Sequence, residues 1–440
     1  MRITVIRVSM FEGKSHDAMK PLIFPIIAGL TPKMHQIDFI DDRIEELPNE
    51  LSSDIIALSA DTFSAKRAYI LARKYKTKNN IIVIGGFHAT ILPQECEDYA
   101  DVVMIGDAED TWPKLLNDYE NSEIKRKYIS EYQASLHYIP SRHPAYEGKK
   151  YQKIGTIQFS RGCKYHCDFC SIKSMYPCNV RQKDIQCIVE EIKDTNETIL
   201  FFIDDNLFIN KSSAIALFHA IKPLKKKWAC QISMDIGLHD DLLTLMKESG
   251  CILVLIGFES LNRRNLEQMN KSANLRQSYD EVIANIYKHK LMIYATFVLG
   301  YDYDTPETIR ETMKFAMKHK FAVANFNPLI PMPGTKLYDR LEEQGRLLYP
   351  KWWLKDGYCY GDTVYQPMSL SPEELKRLCK EVRFQYYSFN NIVKRFIGNK
   401  IHWNCFRCSV YFILNIVSAV EIRRKQGRLL GGSLDETDVN

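Results

Sequence analysis

Short apolar runs alternate with amphipathic stretches over the first 120 residues of the chain. The runs typical of buried strands are Ile3–Val8, Ile37–Ile40, Asp54–Ser59, Ile81–Ile84 and Val102–Ile105. The stretches with helical periodicity are Pro21–Leu30, Ala65–Lys74 and Glu109–Tyr119. This alternation predicts a parallel sheet with helices on both faces.

A second alternating series begins near residue 151. Its strand-like runs are Thr156–Phe159, Ile199–Ile203, Trp228–Ser233, Ile252–Ile256, Ile293–Val298 and Ala322–Phe326. Amphipathic stretches separate these runs, and six strand–helix units in this length predict an incomplete β/α barrel. Beyond Pro331 the pattern becomes mainly helical, with aromatic-rich interruptions.

The pattern therefore predicts an α/β protein with several domains. Residues 1–124 form a doubly wound, Rossmann-like parallel sheet, and residues 125–150 form a polar linker. Residues 151–335 form a partial (β/α)6 barrel. Residues 336–440 form a helical region with a basic segment, and we expect 431–440 to be a disordered tail. A length of 440 residues fits two or three domains.

Composition narrows the class of protein. Hydrophobic residues make up 45% and charged residues 26%, as in globular proteins, which excludes disordered and fibrous classes. The formal charge of +5 is small for this length, so we expect no nucleic-acid partner. The excess of positive charge is concentrated near the C-terminus, because residues 394–428 contain eight Lys and Arg and one acid.

No targeting segment is evident in the sequence. The N-terminus resembles a first strand rather than a signal peptide, and no run of about 18 uncharged apolar residues predicts a membrane span. We therefore expect a cytoplasmic protein. In a reducing compartment its twelve cysteines are metal ligands or buried thiols rather than disulfides.

Three cysteines give the sharpest chemical signal. Cys163, Cys167 and Cys170 follow the first predicted barrel strand, at intervals of four and three positions. Three thiolates from one tight loop can bind three corners of a 4Fe–4S cube and leave the fourth iron open. Buried thiols, or a zinc site that includes His166, are the alternatives.

This triplet resembles the signature of the radical S-adenosylmethionine enzymes. Five later motifs, each at the end of a predicted strand, extend the resemblance: Phe202–Asn206, Gln231–Ser233, Ile256–Ser260, Phe297–Asp302 and Pro331–Thr335. The resemblance implies that the open iron chelates S-adenosylmethionine. An electron from the cluster then splits a C–S bond to give a 5′-deoxyadenosyl radical.

The same resemblance implies a set of S-adenosylmethionine-binding residues: Asp204, Asp205, Gln231, Ser233, Glu259, Ser260 and Gly300. Acids can pair with the cationic groups of this ligand or accept hydrogen bonds from its ribose. Other roles are open for several of them. Asp204 and Asp205 could cap a helix or close a turn, and Glu259 could form a salt bridge below the barrel mouth.

The first domain resembles the cobalamin-binding half of cobalamin-dependent radical S-adenosylmethionine enzymes. The strand ends that carry this resemblance would bind cobalamin through Ser59, Thr62, Gly85, Gly86, Gly106 and Glu109. Turns use the same residue types for backbone reasons, which is the alternative interpretation. None of the 11 histidines lies in an Asp-x-His-x-x-Gly motif, so we expect no protein histidine of that type as the lower cobalt ligand, and assign His88 no ligand role.

Two C-terminal features remain ambiguous. Cys405 and Cys408 form a lone Cys-x-x-Cys, which we interpret as incidental, like the remaining cysteines including Cys178. The basic segment 394–428 encloses an apolar stretch, Cys408–Val420. It predicts a helix that either docks on the barrel or makes peripheral contact with a membrane.

The resemblance implies a cobalamin-dependent radical methyltransferase that methylates an unactivated carbon through a 5′-deoxyadenosyl radical and methylcobalamin. One alternative is a non-methylating radical reaction, namely a cyclisation, oxidation or rearrangement. Another is a non-enzymatic cobalamin or iron–sulfur sensor. Expected partners are a small-molecule, lipid or peptide substrate and an external electron donor of the flavodoxin or ferredoxin type.

Overall fold

The computed structural model describes residues 1–134, 136, 144–177 and 180–432. Its first sheet has six parallel strands in the order β2-β1-β3-β4-β5-β6. These strands are β1 Arg2–Arg7, β2 Gln36–Asp41, β3 Ile55–Ser59, β4 Ile81–Gly85, β5 Val102–Ile105 and β6 Lys127–Ile129. The five predicted strands are confirmed. The sixth extends this sheet into the segment predicted as a linker, where it pairs with β5.

Apolar side chains on both faces of this sheet are buried, as expected for a doubly wound fold. Ile6 and Ile56 pack with the helix after β3 on one face, whereas Ile3, Val5 and Trp112 form a separate cluster on the other. The helices of this half are α1 Ile23–Leu30, α2 Ala65–Tyr75, α3 Phe87–Ile91, α4 Pro93–Cys96 and α5 Ala108–Glu120.

The second sheet is also parallel and follows the order of the chain. Its strands are β7 Gly155–Ile157, β10 Ile199–Phe202, β11 Lys227–Ile232, β12 Cys251–Glu259, β13 Met292–Leu299 and β14 Val323–Pro328. Strands β7 and β14 stand at its two edges, so the predicted partial barrel is confirmed as an open one. Two short strands, β8 Ser160–Arg161 and β9 Arg181–Gln182, pair antiparallel on either side of the cysteine triplet.

Helices cover the outer side of the barrel, and the largest hydrophobic cluster fills the space between them and the strands. These helices are α6 Ile172–Met175, α7 Ile185–Asp194, α8 Lys211–Ile221, α9 Asp240–Ser249, α10 Arg263–Gln268, α11 Ser272–Leu275, α12 Tyr279–Lys288 and α13 Pro306–Lys318. Short 3-10 turns occupy Thr62–Ser64, Pro144–Tyr146, Lys222–Leu224, Met234–Leu238, Trp352–Leu354 and Lys400–Trp403.

The C-terminal region is helical, as predicted, and joins both halves of the molecule. Its helices are α14 Lys336–Glu343, α15 Pro372–Tyr386, α16 Phe389–Gly398 and α17 Cys405–Lys425. Helix α15 covers the barrel edge, where Arg383 Nε donates to the Phe326 carbonyl of β14 at 2.7 Å. The last turn of α17 reaches the first domain, where Lys425 pairs with Asp17 at 2.5 Å.

Helix α17 is long and apolar enough to cross a membrane by length and composition alone, since its most apolar 18-residue window has a mean hydropathy of 1.5. No such segment was expected from the sequence, because its charged ends interrupt the apolar run. Several predicted features fall outside the described residues. These are the incidental thiol Cys178, the part of the predicted linker at 135 and 137–143, and the tail from 433 to 440.

Candidate active site

The cysteine triplet lies in the loop between β8 and α6, at the carboxyl end of the first barrel strand. All three thiols are free, and the Cys170 amide donates to the Cys167 carbonyl at 3.2 Å in a tight turn. Burial, together with the nearby Cys167 and Cys163 thiols, raises the pKa of the Cys170 thiol to about 11. The loop thus brings the three sulfur atoms close enough to influence one another's charge.

Backbone contacts from across the barrel mouth hold this loop. The Asp168 amide donates to the Met269 carbonyl at 3.1 Å, and the Leu337 amide donates to the Asp168 carbonyl at 2.9 Å. Asn270 Nδ2 donates to the His166 carbonyl at 3.0 Å. These partners follow β12 and β14, so the far side of the barrel positions the cysteines.

The Asp168 side chain adds a polar anchor between the second and third cysteines. It accepts a hydrogen bond from the Tyr301 hydroxyl at 2.6 Å and pairs with Arg340 at 3.1 Å. Arg340 also pairs with Asp302, and Asp302 pairs with Arg346, so a chain of ion pairs runs from the loop to the C-terminal region. Such buried and half-buried pairs restrict where the loop can lie.

The two acids after β10 hold the beginning of the same segment. Asp204 accepts hydrogen bonds from the Phe159 amide at 3.1 Å and from the Ser160 amide at 2.5 Å. Asp205 accepts one from the Gly162 amide at 2.9 Å. Burial raises the pKa of Asp204 to about 6. The structure thus gives both acids backbone partners beside the cysteines, and Asp205 remains partly exposed.

Glu259 lies at the end of β12 in a left-handed backbone conformation, with φ of +63°. Such a conformation in a residue other than glycine stores strain and is concentrated at functional sites. Its carboxylate folds back over Gly257, where an added Cβ would contact Glu259 Oε1. A glycine at this position therefore leaves room for the carboxylate as it is placed here.

Lys271 completes this part of the site, and the sequence did not single it out. Its Nζ lies 2.8 Å from Glu259 Oε1. Burial opposes its charge, but Glu259 and the Cys167 thiolate together raise the pKa of Lys271 above its usual value. The cysteine loop therefore faces a half-buried, paired cation.

The polar residues of β11 face the interior of the barrel. Trp228, Cys230 and Ile232 pack outward in the core, so the alternation of a strand turns Gln231 inward, where it is exposed. Ser233 follows the strand and lies beside Tyr165 of the cysteine loop, whose hydroxyl also donates to Asp235 at 3.3 Å.

Two predicted site residues are occupied by contacts within the protein. Ser260 is buried, and its hydroxyl accepts a hydrogen bond from the Asn262 amide at 3.1 Å. The Gly300 amide donates to Asp304 at 2.8 Å, and its carbonyl accepts from the Tyr365 hydroxyl at 2.6 Å. These contacts give both residues a structural role at the strand ends.

The donor set fits a cluster better than a single metal ion. A tetrahedral zinc site needs four ligands, each about 2.0–2.3 Å from one ion. Among the described residues, no group of three or more His, Cys, Asp or Glu is arranged to hold one ion. Three free thiols on one anchored loop, with no fourth protein ligand in the described part of the chain, are instead the donor set of a 4Fe–4S cube that keeps one iron open.

A cavity of about 690 Å³ lies between the two domains, at the carboxyl ends of β1, β3, β4 and β5. Parallel sheets bind ligands at this edge, where the strand order changes direction. Apolar residues form the cavity floor: Val5, Ala57, Val83 and Met104. The barrel contributes the opposite wall, which includes Gln158, Arg161, Tyr176 and Ile203.

Most of the predicted cobalamin-binding residues line this cavity: Ser59, Gly85, Gly86, Gly106 and Glu109. Gly86 has φ of +101°, and an added Cβ would lie 2.6 Å from the Ala60 carbonyl oxygen, so only glycine fits there. Thr62 is different: it is buried behind the rim, and its hydroxyl lies 3.4 Å from His88 Nδ1.

His88 belongs to a buried network rather than to the cavity wall. Its Nε2 lies 3.0 Å from the Tyr69 hydroxyl and 3.1 Å from Glu95 Oε1. The Trp353 indole donates to the same Glu95 oxygen at 2.8 Å, so these hydrogen bonds pull the pKa of Glu95 down to about 2 even though burial opposes it. This network fastens the C-terminal region to the first domain.

Ion pairs join the cavity rim directly to the cysteine loop. Arg161 donates to both carboxylate oxygens of Glu109, at 2.8 and 3.1 Å, and pairs with Asp107 at 3.2 Å. Arg181 also pairs with Asp107. The sequence singled out Glu109 but neither its arginine partner nor Asp107. The one sequence feature that could have pointed to Arg161 is its position two residues before the first cysteine.

Comparisons with known proteins agree with this geometry. The family model described as the radical SAM superfamily matches residues 157–316, and the B12 binding domain model matches residues 25–116. The chain therefore combines a B12-binding domain with a radical SAM domain. These two domains bind the cofactors that the resemblance implied, which are a 4Fe–4S cluster with S-adenosylmethionine, and cobalamin.

Two curated relatives of this chain are named for different reactions. Bacteriochlorophyllide d C-12(1)-methyltransferase of Chlorobaculum tepidum is 29% identical over 411 residues, which cover 90% of this chain and 88% of the relative. Anaerobic magnesium-protoporphyrin IX monomethyl ester cyclase of Cereibacter sphaeroides is 26% identical over 429 residues, which cover 85% and 68%.

Two solved structures share the fold. The radical S-adenosylmethionine methyltransferase TsrM of Kitasatospora setae, with cobalamin and a 4Fe–4S cluster bound, is 15% identical with a TM-score of 0.63, covering 86% of this chain and 81% of TsrM. The cobalamin-dependent S-adenosylmethionine radical enzyme OxsB is 13% identical with a TM-score of 0.66, covering 94% and 72%. The two-domain fold is thus that of cobalamin-dependent radical enzymes.

Proposed function

We propose that this enzyme methylates an unactivated carbon of an organic substrate. The observation that supports this most is the cavity between the sheet edge and the barrel mouth, because its walls come from both cofactor domains. When bound, the cluster and S-adenosylmethionine supply a hydrogen-abstracting radical, and cobalamin supplies the methyl group. A shared cavity keeps both of these reactive groups near one substrate and away from water.

On this proposal Cys163, Cys167 and Cys170 bind the cluster and leave one iron open. Asp205, Gln231, Ser233 and Glu259 face the same barrel mouth or border the cysteine loop, and would bind S-adenosylmethionine. Asp204 fixes the backbone that leads into the loop, since it already accepts from the Phe159 and Ser160 amides. Ser260 and Gly300 support the strand ends through their protein contacts.

Cobalamin would occupy the cavity at the sheet edge. Ser59, Gly85, Gly86 and Gly106 line it, and small residues let the backbone approach a large flat ligand. The apolar floor between the strands, formed by Ala57 and Val83 among others, can receive an extended tail of the cofactor. Glu109 acts here by holding Arg161.

For the substrate class we propose an apolar molecule that carries a ring system. The support is the name of the bacteriochlorophyllide methyltransferase, which this chain matches over most of its length. The cavity walls are mainly apolar, and such walls suit a ligand with few charges.

A second candidate is a radical reaction without methyl transfer, such as cyclisation. The relative named as a cyclase supports it, since it also matches most of this chain. A sensor without catalysis has weaker support, because the cysteine loop and the Gly257–Glu259 turn are both intact.

The deciding experiment uses the reconstituted enzyme with S-adenosylmethionine deuterated in its methyl group. Methylation predicts deuterium in the product together with 5′-deoxyadenosine. Turnover that yields 5′-deoxyadenosine and an altered but unlabelled product would favour cyclisation or another radical reaction. Wild-type protein that binds both cofactors but cleaves no S-adenosylmethionine under reducing conditions would favour the sensor.

Two partners belong to the same proposal. An external electron donor of the flavodoxin or ferredoxin type would reduce the cluster. Residues 394–428 would make peripheral contact with a membrane, since this segment combines basic and apolar side chains.

A further inference from the structure

The outward face of helix α17 is apolar. Phe406, Ile413, Ile416 and Val420 recur at spacings of seven, three and four residues, which places them on one side of a helix. Ile413 is 57% exposed, Ile416 58% and Val420 49%. An exposed apolar stripe of this length in a folded domain marks a contact surface.

The inward face of the same helix carries buried polar side chains that are hydrogen-bonded to the barrel edge and to α16. Asn415 Nδ2 donates to the Ala322 carbonyl at 2.9 Å, and its Oδ1 accepts from Arg395 at 3.0 Å. The Tyr411 hydroxyl donates to the Ile392 carbonyl at 2.8 Å. Asn415, Tyr411 and Arg395 are all fully buried. Turning the helix over would leave these polar groups without partners, which costs several kcal/mol.

These bonds also argue against a membrane-crossing helix, although its length would suffice. Crossing would pull Asn415 and Arg395 from the barrel edge into hydrocarbon, where charged and amide groups are expensive. The helix is therefore held along the side of the protein, with its apolar stripe directed outward.

Apolar side chains next to α17 extend this surface. Trp403 precedes the helix and is 52% exposed, and its indole donates to the Phe396 carbonyl of α16 at 3.0 Å. Phe389 and Ile397 of α16 are also exposed. We call Phe389, Ile397, Trp403 and the α17 stripe the outer apolar face.

The charged residues near the outer apolar face indicate which kind of partner binds it. Lys394 of α16, Lys400 of the turn before α17 and Arg423 of α17 are exposed. Glu421 is the only acid between 388 and 432 and is buried. A second copy of the chain would bring like charges together across a shared face, which opposes association. An anionic bilayer surface would accept both the basic groups and the apolar stripe.

We infer that the outer apolar face inserts into the interface of an anionic membrane, with α17 lying parallel to the bilayer. Aromatic residues such as Trp403 favour the headgroup region, and the neighbouring lysines would meet lipid phosphates. This surface is on the side of the barrel edge and leaves the cysteine loop free.

The fluorescence of Trp403 can report on this contact. All five tryptophans lie in described segments, and Trp112, Trp228, Trp352 and Trp353 are buried, so Trp403 alone is exposed. Entry into a bilayer interface would shift its fluorescence to shorter wavelength. A Trp403→Phe variant should lose this spectral change, while the flotation described next should persist.

The full-length protein should float with vesicles of phosphatidylcholine and phosphatidylglycerol, and much less with phosphatidylcholine alone. The double variant Ile413→Asp, Ile416→Asp should weaken this binding by about tenfold or more, because charges enter the inserted stripe. The matched control is Met34→Asp with Ile129→Asp, which changes two side chains that are also exposed, at 80% and 61%, in the first domain. It should bind like the wild type.

Raising the salt concentration should reduce binding, since the basic groups act through exposed charges. Equal flotation of the double variant and the wild type would overturn the inference, as would absence of wild-type binding to anionic vesicles. A wild-type dimer that the α17 variant dissociates, without vesicle binding, would assign the face to a second copy instead.

Discussion

Arg161 of the barrel binds both carboxylate oxygens of Glu109 in the cobalamin domain, at 2.8 and 3.1 Å. Both side chains are almost fully buried. Arg161 lies two residues before Cys163, and Glu109 lies on the rim of the cavity. One ion pair therefore links the position of the cluster loop to the position of the cobalamin site.

Replacing Arg161 with Gln should destabilise the protein by about 3–5 kcal/mol, because Glu109 would stay buried without its cation, whereas Asp107 would keep only Arg181. Thermal unfolding and the iron content after reconstitution measure the effect, and we expect both to fall. Arg263→Gln is the matched control, since its pair with Glu267 is exposed and is worth at most about 1 kcal/mol. Similar losses in both variants would contradict the proposed link.

Each triplet cysteine should be required for the cluster. Cys163→Ser should lose most of the bound iron and sulfide and abolish 5′-deoxyadenosine formation, because two thiolates do not hold the cube in this loop. The double variant Cys405→Ser, Cys408→Ser should keep its iron and its activity, since that pair lies at the start of α17, outside the barrel mouth. Iron loss in the second variant would show that the C-terminal pair also binds metal.

Filling the cavity at the sheet edge should block cobalamin. Ser59 lines the cavity at the end of β3, so Ser59→Phe should weaken cobalamin binding by at least about tenfold through steric exclusion. Spectroscopic titration with hydroxocobalamin measures this, and iron content should stay unchanged. Thr62→Val serves as control, because Thr62 is buried outside the cavity. Loss of binding in Thr62→Val alone would place cobalamin elsewhere.

Asp304 predicts a specific pH dependence of stability. Burial raises the pKa of this carboxyl from 3.8 to about 6, although the Gly300 and Tyr301 amides donate to it. A raised folded pKa favours the protonated form in the fold. Its stabilising contribution is therefore complete below about pH 4 and is lost as the pH rises through about 6.

Asp304→Asn removes this titration. Between pH 4 and pH 7 the free energy of unfolding of the wild type should fall relative to the variant by up to about 3 kcal/mol. Asp204, whose pKa burial also raises to about 6, stays in both proteins and cancels in the difference. Parallel stability curves for the two proteins would show that Asp304 is not responsible for such a loss.

The sequence predicted most of the fold because its strands are continuous apolar runs. Ile81–Gly85 and Met292–Leu299 are clear in the pattern, as are the helices between such strands. Strand β6, Lys127–Ile129, was not predicted. It is three residues long, and only its central Tyr128 is buried, so no periodic signal distinguishes it from a polar linker.

The site residues could be predicted where they belong to one short sequence motif. The cysteine loop and the turn at Gly257–Glu259 are contained in single motifs. The partners of those residues come from distant positions, as with Arg161 and Glu109 or Glu259 and Lys271, and no spacing rule connects them. The backbone hydrogen bonds of Asp204 could not be predicted either. An acidic residue after a strand can bind a ligand or accept from a backbone amide, and the sequence is the same in both cases.

The ion pairs between Asp107, Glu109, Arg161 and Arg181 limit how this protein could be recombined. A chimera that received its cobalamin domain from another enzyme would keep two arginines beside the cysteine loop. Without acids at the matching turn after β5, those arginines would be buried with no counter-charge. The two domains would therefore have to be exchanged together. A chimera designed to change the substrate would need to take the turn after β5 and the cysteine loop from the same parent enzyme.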